Sequence, residues 1–252
     1  MPSGWTRWLL EQFEYPFKVV YPPELDKGEL REKFDVLVLV DGAIPGSGRG
    51  MDGGDQPPAD PGVIDELGLP AEYRGRRGSI TPAKTVPHLR KFLEEGGTII
   101  AMGSATTLSS LLNVPISNHL VTKDADGKER PLSREKFYVP PSILRMKLNP
   151  ENPLTWGLES EVDVMFANSP TFRLPENAQK TGLNAVGWFS GKTPLRSGWA
   201  FGQEHLDGGT AIVDADIGKG HLVLFGPQIL FRAQPHGTFK LFFNAISRAG
   251  KN

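Results

Sequence analysis

The run Val36-Leu-Val-Leu-Val40 constrains this chain more than any other feature. Five consecutive aliphatics, three of them β-branched, do not suit an amphipathic helix or a strand with one wet face. They read as a strand buried on both sides, the environment of a parallel sheet covered by helices. The crossover that such a sheet requires is legible downstream. Leu89, Phe92 and Leu93 recur at helical spacing over Thr85–Glu95, and Gly96-Gly97 stops that helix. The strand Thr98-Ile-Ile-Ala-Met102 follows, and Gly103-Ser104 turns the chain into a helix through Leu108, Leu111 and Leu112. This alternation specifies a doubly wound α/β sheet.

The remaining elements are read in the same way. Trp5, Trp8, Leu9 and Phe13 predict a helix over 4–14 with Ser3 as its cap. Phe17–Tyr21 reads as a short strand stopped by Pro22-Pro23, and Glu29–Lys33 as a brief helix. The second half is strand-rich: Ile143–Leu148, Val162–Ala167, Ala185–Phe189, Gly198–Phe201, Thr210–Asp214 and His221–Phe225. Ala215–Gly220 joins the last two as a hairpin, so antiparallel additions to the sheet are expected there. Phe239, Phe242, Phe243 and Ile246 form the apolar stripe of a closing helix, Thr238–Ser247. A Gly- and Pro-rich loop fills 41–82, far beyond the usual connection length. Its Arg74, Arg76 and Arg77 read as a solvated face. The charged excursion 121–136 reads as a loop or small hairpin outside the sheet. No internal repeat divides the chain, so one domain over 1–252 is expected.

Several functions fall away. With no Cys there is no thiolate zinc site, disulfide or cysteine nucleophile. The 28 basic and 29 acidic residues nearly cancel and form no basic stripe, so nucleic acid is not an expected partner. No apolar run approaches the ~18 residues of a membrane helix. Met-Pro-Ser-Gly-Trp5 lacks the basic and apolar regions of a secretory leader. The five His (88, 119, 205, 221, 236) show no zinc-site spacing, and neither a metal nor a cofactor is expected. The pair Asp214/Asp216 flanks the hairpin, where Asp is common for turn reasons.

Ligands of a doubly wound sheet bind beyond the carboxyl ends of its strands. The segments there are Asp41-Gly42, Gly103-Ser104, Asn168-Ser169 and Gln228–His236. Ser104 follows a strand and opens a helix, where hydrolases place a nucleophile above helix amides. The hydrolase elbow wants Gly two residues before and after the serine, but Met102 and Thr106 stand there. Helix capping is the plainer role for Ser104, and a loop-fixing hydrogen bond the plainer role for His236. Strand–loop logic places Asp41, Gly103, Ser104, Arg232 and His236 in one crevice.

Four segments carry a family resemblance: Gly4-Trp-Thr-Arg-Trp-Leu-Leu-Glu-Gln-Phe13, Phe34–Gly42, Gly96–Ser104 and Phe231-Arg-Ala-Gln-Pro-His-Gly-Thr-Phe-Lys-Leu-Phe-Phe-Asn-Ala245. They resemble the carboxy-terminal region of bacterial zinc carboxypeptidase-like proteins, a region that looks like a class I glutamine amidotransferase domain of flavodoxin-like fold. The resemblance implies a zinc carboxypeptidase-like domain as partner, in the same polypeptide or encoded beside it, and a periplasmic or secreted setting. An amidotransferase needs a Cys at the elbow and a His-Glu pair after a late strand. Gly103 or Ser104 holds the first place, and Gly226-Pro-Gln-Ile229 offers no His-Glu pair. The peptidase's zinc motif is absent too.

Three readings remain: a catalytically silent accessory domain, a serine hydrolase using Ser104 with His236, and a small-molecule binding module. The opening helix carries a further expectation. Flavodoxin-like domains open with a central strand, so a strand before Met1 is expected.

Overall fold

The computed structural model describes residues 1–44, 70, 73 and 75–249. The principal elements are helices α1 (Pro2–Gln12), α2 (Thr85–Glu94) and α3 (Phe239–Arg248), and seven strands. These are β1 (Val36–Leu39), β2 (Thr98–Met102), β3 (Ser142–Leu148), β4 (Glu161–Phe166), β5 (Leu183–Trp188), β6 (Thr210–Ile217) and β7 (Gly220–Phe225). They join one sheet in the order β1–β2–β7–β6–β5–β3, with β4 on the far side of β3. The first three strands are parallel. From β7 onward each neighbour is antiparallel. The α/β class with antiparallel additions in the second half therefore stands as read from the sequence.

Alternation along the strands splits the core into two layers. Ile100, Met102, Val223 and Phe225 face α1 and α3. Ile99, Ala101, Leu222 and Leu224 face α2. β2 is buried at all five positions, as its apolar sequence demands. At α2 the chain stops through Gly96, whose φ of +98° suits glycine. The excursion 121–136 contains a hairpin, Val121–Lys123 paired with Glu129–Pro131. No helix among the described residues is long and apolar enough to cross a membrane.

Several local expectations are corrected. Phe17–Tyr21 forms no strand; Pro22 opens a one-turn helix, Pro22–Leu25, and Glu29–Lys33 is only turns. The expected strand Gly198–Phe201 lies earlier, at Leu195–Ser197. Ser3 does not cap α1. The face that α1 buries carries Thr6, Leu9 and Leu10, whereas Trp5, Trp8 and Phe13 stay 37%, 45% and 53% exposed. β1 is buried only at alternate positions, Leu37 and Leu39, while Val36 and Val38 on its other face are half-buried. Arg74 lies outside the described residues, and Arg76 stacks on the rings of Tyr21 and Tyr73.

Candidate functional site

Four chain segments meet at one rim of the sheet. Asp41 follows β1, Ser104 follows β2, and Gln228 follows β7, all at carboxyl ends of parallel strands. Asn168 and Ser169 follow β4, which four successive antiparallel steps from β7 return to the same direction. These residues line one cavity of ≈ 410 Å³. The cavity thus lies beyond strand carboxyl ends, and its lining continues into the antiparallel half.

Asp41 organises the floor. Its Oδ1 accepts from the Ser104 backbone N–H at 2.8 Å and from the Ser104 hydroxyl at 2.7 Å. Gln228 Nε2 donates to its other oxygen at 3.1 Å. The Ser104 hydroxyl in turn accepts from the Gly42 N–H at 2.8 Å. Ser104 therefore caps the β1 loop, not the helix of its own turn. Gly103 makes the arrangement possible: its φ is +55°, and a Cβ there would stand 2.6 Å from Asp41 Oδ1 and 2.7 Å from Gln228 Nε2.

The cavity wall is rich in hydroxyls and amides. Thr106, Thr107 and Ser109 turn their hydroxyls to backbone carbonyls within the same turn. Asn168, at φ +45°, receives the Val139 N–H on its side chain. Thr171 is 1% exposed, and its hydroxyl has no hydrogen-bond partner. Asp41 and Arg134 are the charged residues among those lining the cavity.

Of the residues picked from the sequence, Asp41, Gly103 and Ser104 come together here. Arg232 and His236 are exposed and do not line the cavity. Arg232 lies over the Phe231 ring, and His236 stacks on Phe239 with centroids 5.0 Å apart. The 3-10 turns carrying both residues lead the chain from β7 toward α3 instead of toward β1. Sequence reasoning missed Gln228 as a side chain and Thr171 altogether. Gln228 stood in a flagged segment, but Thr171 follows two residues after Ser169 with no motif to mark it.

Asp214 is a second departure. It sits inside β6, not in a turn, 1% exposed, with Oδ2 bound by Arg248 and Asn152. His221, opposite Asp216 on β7, brings Nδ1 to 2.9 Å from Asp216 and 3.8 Å from Asp214.

No family model and no curated protein matches the chain. Among solved structures, a glutamine amidotransferase from Thermotoga maritima superposes with a TM-score of 0.51 at 12% identity, covering 98% of this chain and 92% of that one. The fold is glutamine amidotransferase-like. Two β-galactosidases, from Bacillus circulans sp. alkalophilus and Rahnella sp. R3, match 66% and 65% of the chain with TM-scores of 0.39 and 0.37, at 11% and 13% identity. This chain spans about a fifth of their length, 21% and 20%. The positive φ of the strand-to-helix turn falls on Gly103, and Ser104 follows it.

Proposed function

We propose that this chain is a catalytically silent, amidotransferase-like domain that binds a small neutral polar molecule, as an accessory to a zinc carboxypeptidase-like protein. The observation that carries the reading is the occupied turn. An elbow stabilises its oxyanion with the N–H after the nucleophile and an N–H from a neighbouring strand loop. The corresponding groups here are the N–H of Ser104 and that of Gly42. The first is held by the Asp41 carboxylate and the second by the Ser104 hydroxyl. Glycine at position 103 supplies no nucleophilic atom, and Ser104 has both its donor and an acceptor site engaged. No imidazole lines the cavity among the described residues.

Binding is supported by the ≈ 410 Å³ cavity, which falls within the ordinary range for small-molecule sites. Its hydroxyl and amide lining favours a neutral, hydrogen-bonding ligand, and the unpartnered Thr171 hydroxyl marks one contact. The peptidase context rests on the four resembling segments alone.

A fluorophosphonate probe and a glutaminase assay test the silence. Neither should register above background, and Ser104→Ala should change nothing; labelling that disappears in Ser104→Ala would restore the hydrolase reading. Thermal shift against neutral monosaccharides and primary amides tests the binding. A stabilisation abolished by Thr171→Val is expected, and an equal response in the variant would remove the cavity from consideration. Reading the coding sequence upstream of Met1 tests the context, with a peptidase reading frame as the supporting result.

A further inference from the structure

The end of the sheet away from the cavity carries a second group of polar side chains. Thr98 opens β2, and its register partner His221 stands near the start of β7. Asp216 lies directly opposite His221 on β6, and Asp214 is two residues earlier on the same strand. Residues two apart on a strand share a face, so all four join Ile100 and Val223 on the face that α3 covers. Arg248, in the last turn of α3, donates to Asp214 Oδ2, and Asn152 donates to the same oxygen at 3.4 Å.

The atoms left over converge. His221 Nδ1 is 2.9 Å from Asp216 Oδ1 and 3.8 Å from Asp214 Oδ1, and the three lie within 4.8 Å of one another. Yet neither His221 Nδ1 nor Asp214 Oδ1 has a hydrogen-bond partner among the described residues, although both atoms are buried. Asp214 as a whole is 1% exposed. The hydroxyl of Thr98, also 1% exposed, is unpartnered as well. Buried polar atoms are nearly always satisfied, so three orphans on one face of adjacent strands call for a ligand.

The chemistry of these atoms selects a cation. Two carboxylates against the one guanidinium of Arg248 leave negative charge in excess, and a neutral imidazole with its proton on Nε2 adds a lone pair. Two ligands each about 2.1 Å from a tetrahedral metal stand about 3.4 Å apart, which the observed 2.9 and 3.8 Å bracket. One imidazole with two carboxylates suits zinc, whereas magnesium and calcium take oxygen throughout. Arg248 and Asn152 hold Oδ2 and so orient Oδ1, as outer-shell partners of ligating carboxylates do. The Asp216 side chain is 48% exposed, which gives an ion its way in and water for its remaining position.

We propose that Asp214 Oδ1, Asp216 Oδ1 and His221 Nδ1 form a zinc site that clamps the β6–β7 hairpin. It departs from the sequence expectation of no metal because Asp-x-Asp-x₄-His is a hairpin spacing and not a helical one. The site is independent of the functional reading above, since it lies at the opposite end of the strands from the cavity.

The experiment is calorimetric titration of the 252-residue chain with zinc after chelator stripping. One zinc should bind per chain with a Kd of about 1 μM or tighter, and it should raise the melting temperature by about 3 °C or more. Cobalt(II) in its place should give the strong visible absorption of tetrahedral coordination, and millimolar magnesium should displace neither ion. His221→Ala and Asp216→Ala should each weaken zinc tenfold or more, while His236→Ala should leave the affinity unchanged. Asp216 is half exposed, so its variant keeps the test readable if His221→Ala disturbs the hairpin; circular dichroism checks both. Absence of binding up to about 100 μM zinc would overturn the proposal. So would an affinity unchanged in Asp216→Ala, which would mean an adventitious ion only.

Discussion

In the antiparallel half of the sheet, β3 is hydrogen-bonded on both sides, by β4 along one edge and by β5 and Leu195–Ser197 along the other. In the parallel half, β1 has β2 on one side and a groove on the other. The difference also shows in burial. Leu144, Val164, Phe166 and Phe189 are inaccessible to solvent, whereas Val36, Val38 and Val40 are half-buried. The half whose strands are paired on both edges holds the larger aromatic cluster. The half that ends at the edge strand β1 carries the loop and the turn that form the floor of the cavity. Division of labour of this kind is common, since binding loops are drawn from less heavily packed elements.

The largest effect should separate the halves directly. Phe166 packs edge-on against Phe137 and Phe189, with centroids 6.3 and 5.6 Å away. Phe166→Ala should cost about 3–5 kcal/mol, as truncations of fully buried aromatics do. Val38→Ala, at the half-buried edge, should cost about 1 kcal/mol. Urea denaturation of both variants checks the pair. Equal losses would mean that β1 is as tightly packed as β4, and the comparison would break.

The same contrast explains what the sequence made legible. Periodicity located β2, α2, β3, β4, β5, β7 and α3 within a residue or two, because each is packed on the faces its pattern requires. It failed around β1. Phe17–Tyr21 has strand composition, but a strand is stabilised by its partner, and no described residue pairs with it. The α1 stripe was misjudged for a related reason: Trp5 and Trp8 have the spacing of a buried face but little to cover. At the site, topology sufficed for Asp41, Gly103 and Ser104, which directly follow strands. Arg232 and His236 lie several residues past β7, and over that distance loop conformation decides the outcome. Arg232, at φ +49°, and Ala233, at +52°, turn that loop in a way that no residue type announced. Asp214 was lost because a buried charge is invisible without its partner, and Arg248 is 34 residues away.

A middle-sized effect should come from the cavity floor. Asp41→Ala removes the acceptor of the Ser104 N–H and hydroxyl, and Ser104 is 8% exposed. Leaving such groups unpartnered costs about 1–3 kcal/mol. Adding Ser104→Ala to that variant should cost less than it does alone, since one contact is already gone. Denaturation of the two single variants and the double variant yields the coupling. Strict additivity would show that Asp41 does not act through Ser104, and the occupied turn would lose its basis.

The smallest effect distinguishes which side of the cavity loosens in acid. His119 donates its backbone N–H to Thr171 beside the cavity, on a segment paired with the antiparallel half. Burial holds its pKa below the ordinary histidine value, and the charge of Arg173 acts in the same sense; hydrogen bonds to the backbone of Asp207 and His205 oppose both. The unfolded chain therefore binds a proton at a pH where the folded one does not. Stability then rises with pH across that window, so His119 withdraws its contribution as pH falls from about 6.5 toward its folded value. Asp124 and Glu129 are shifted downward by Arg130 and Arg173 respectively, and they act only in the lower carboxylate window. Melting temperature measured between pH 7.5 and 5 should fall, and His119→Gln should flatten that slope without changing the value at pH 7.5 by a comparable amount. An unchanged slope in the variant would place the acid-sensitive group elsewhere and leave the two halves undistinguished by pH.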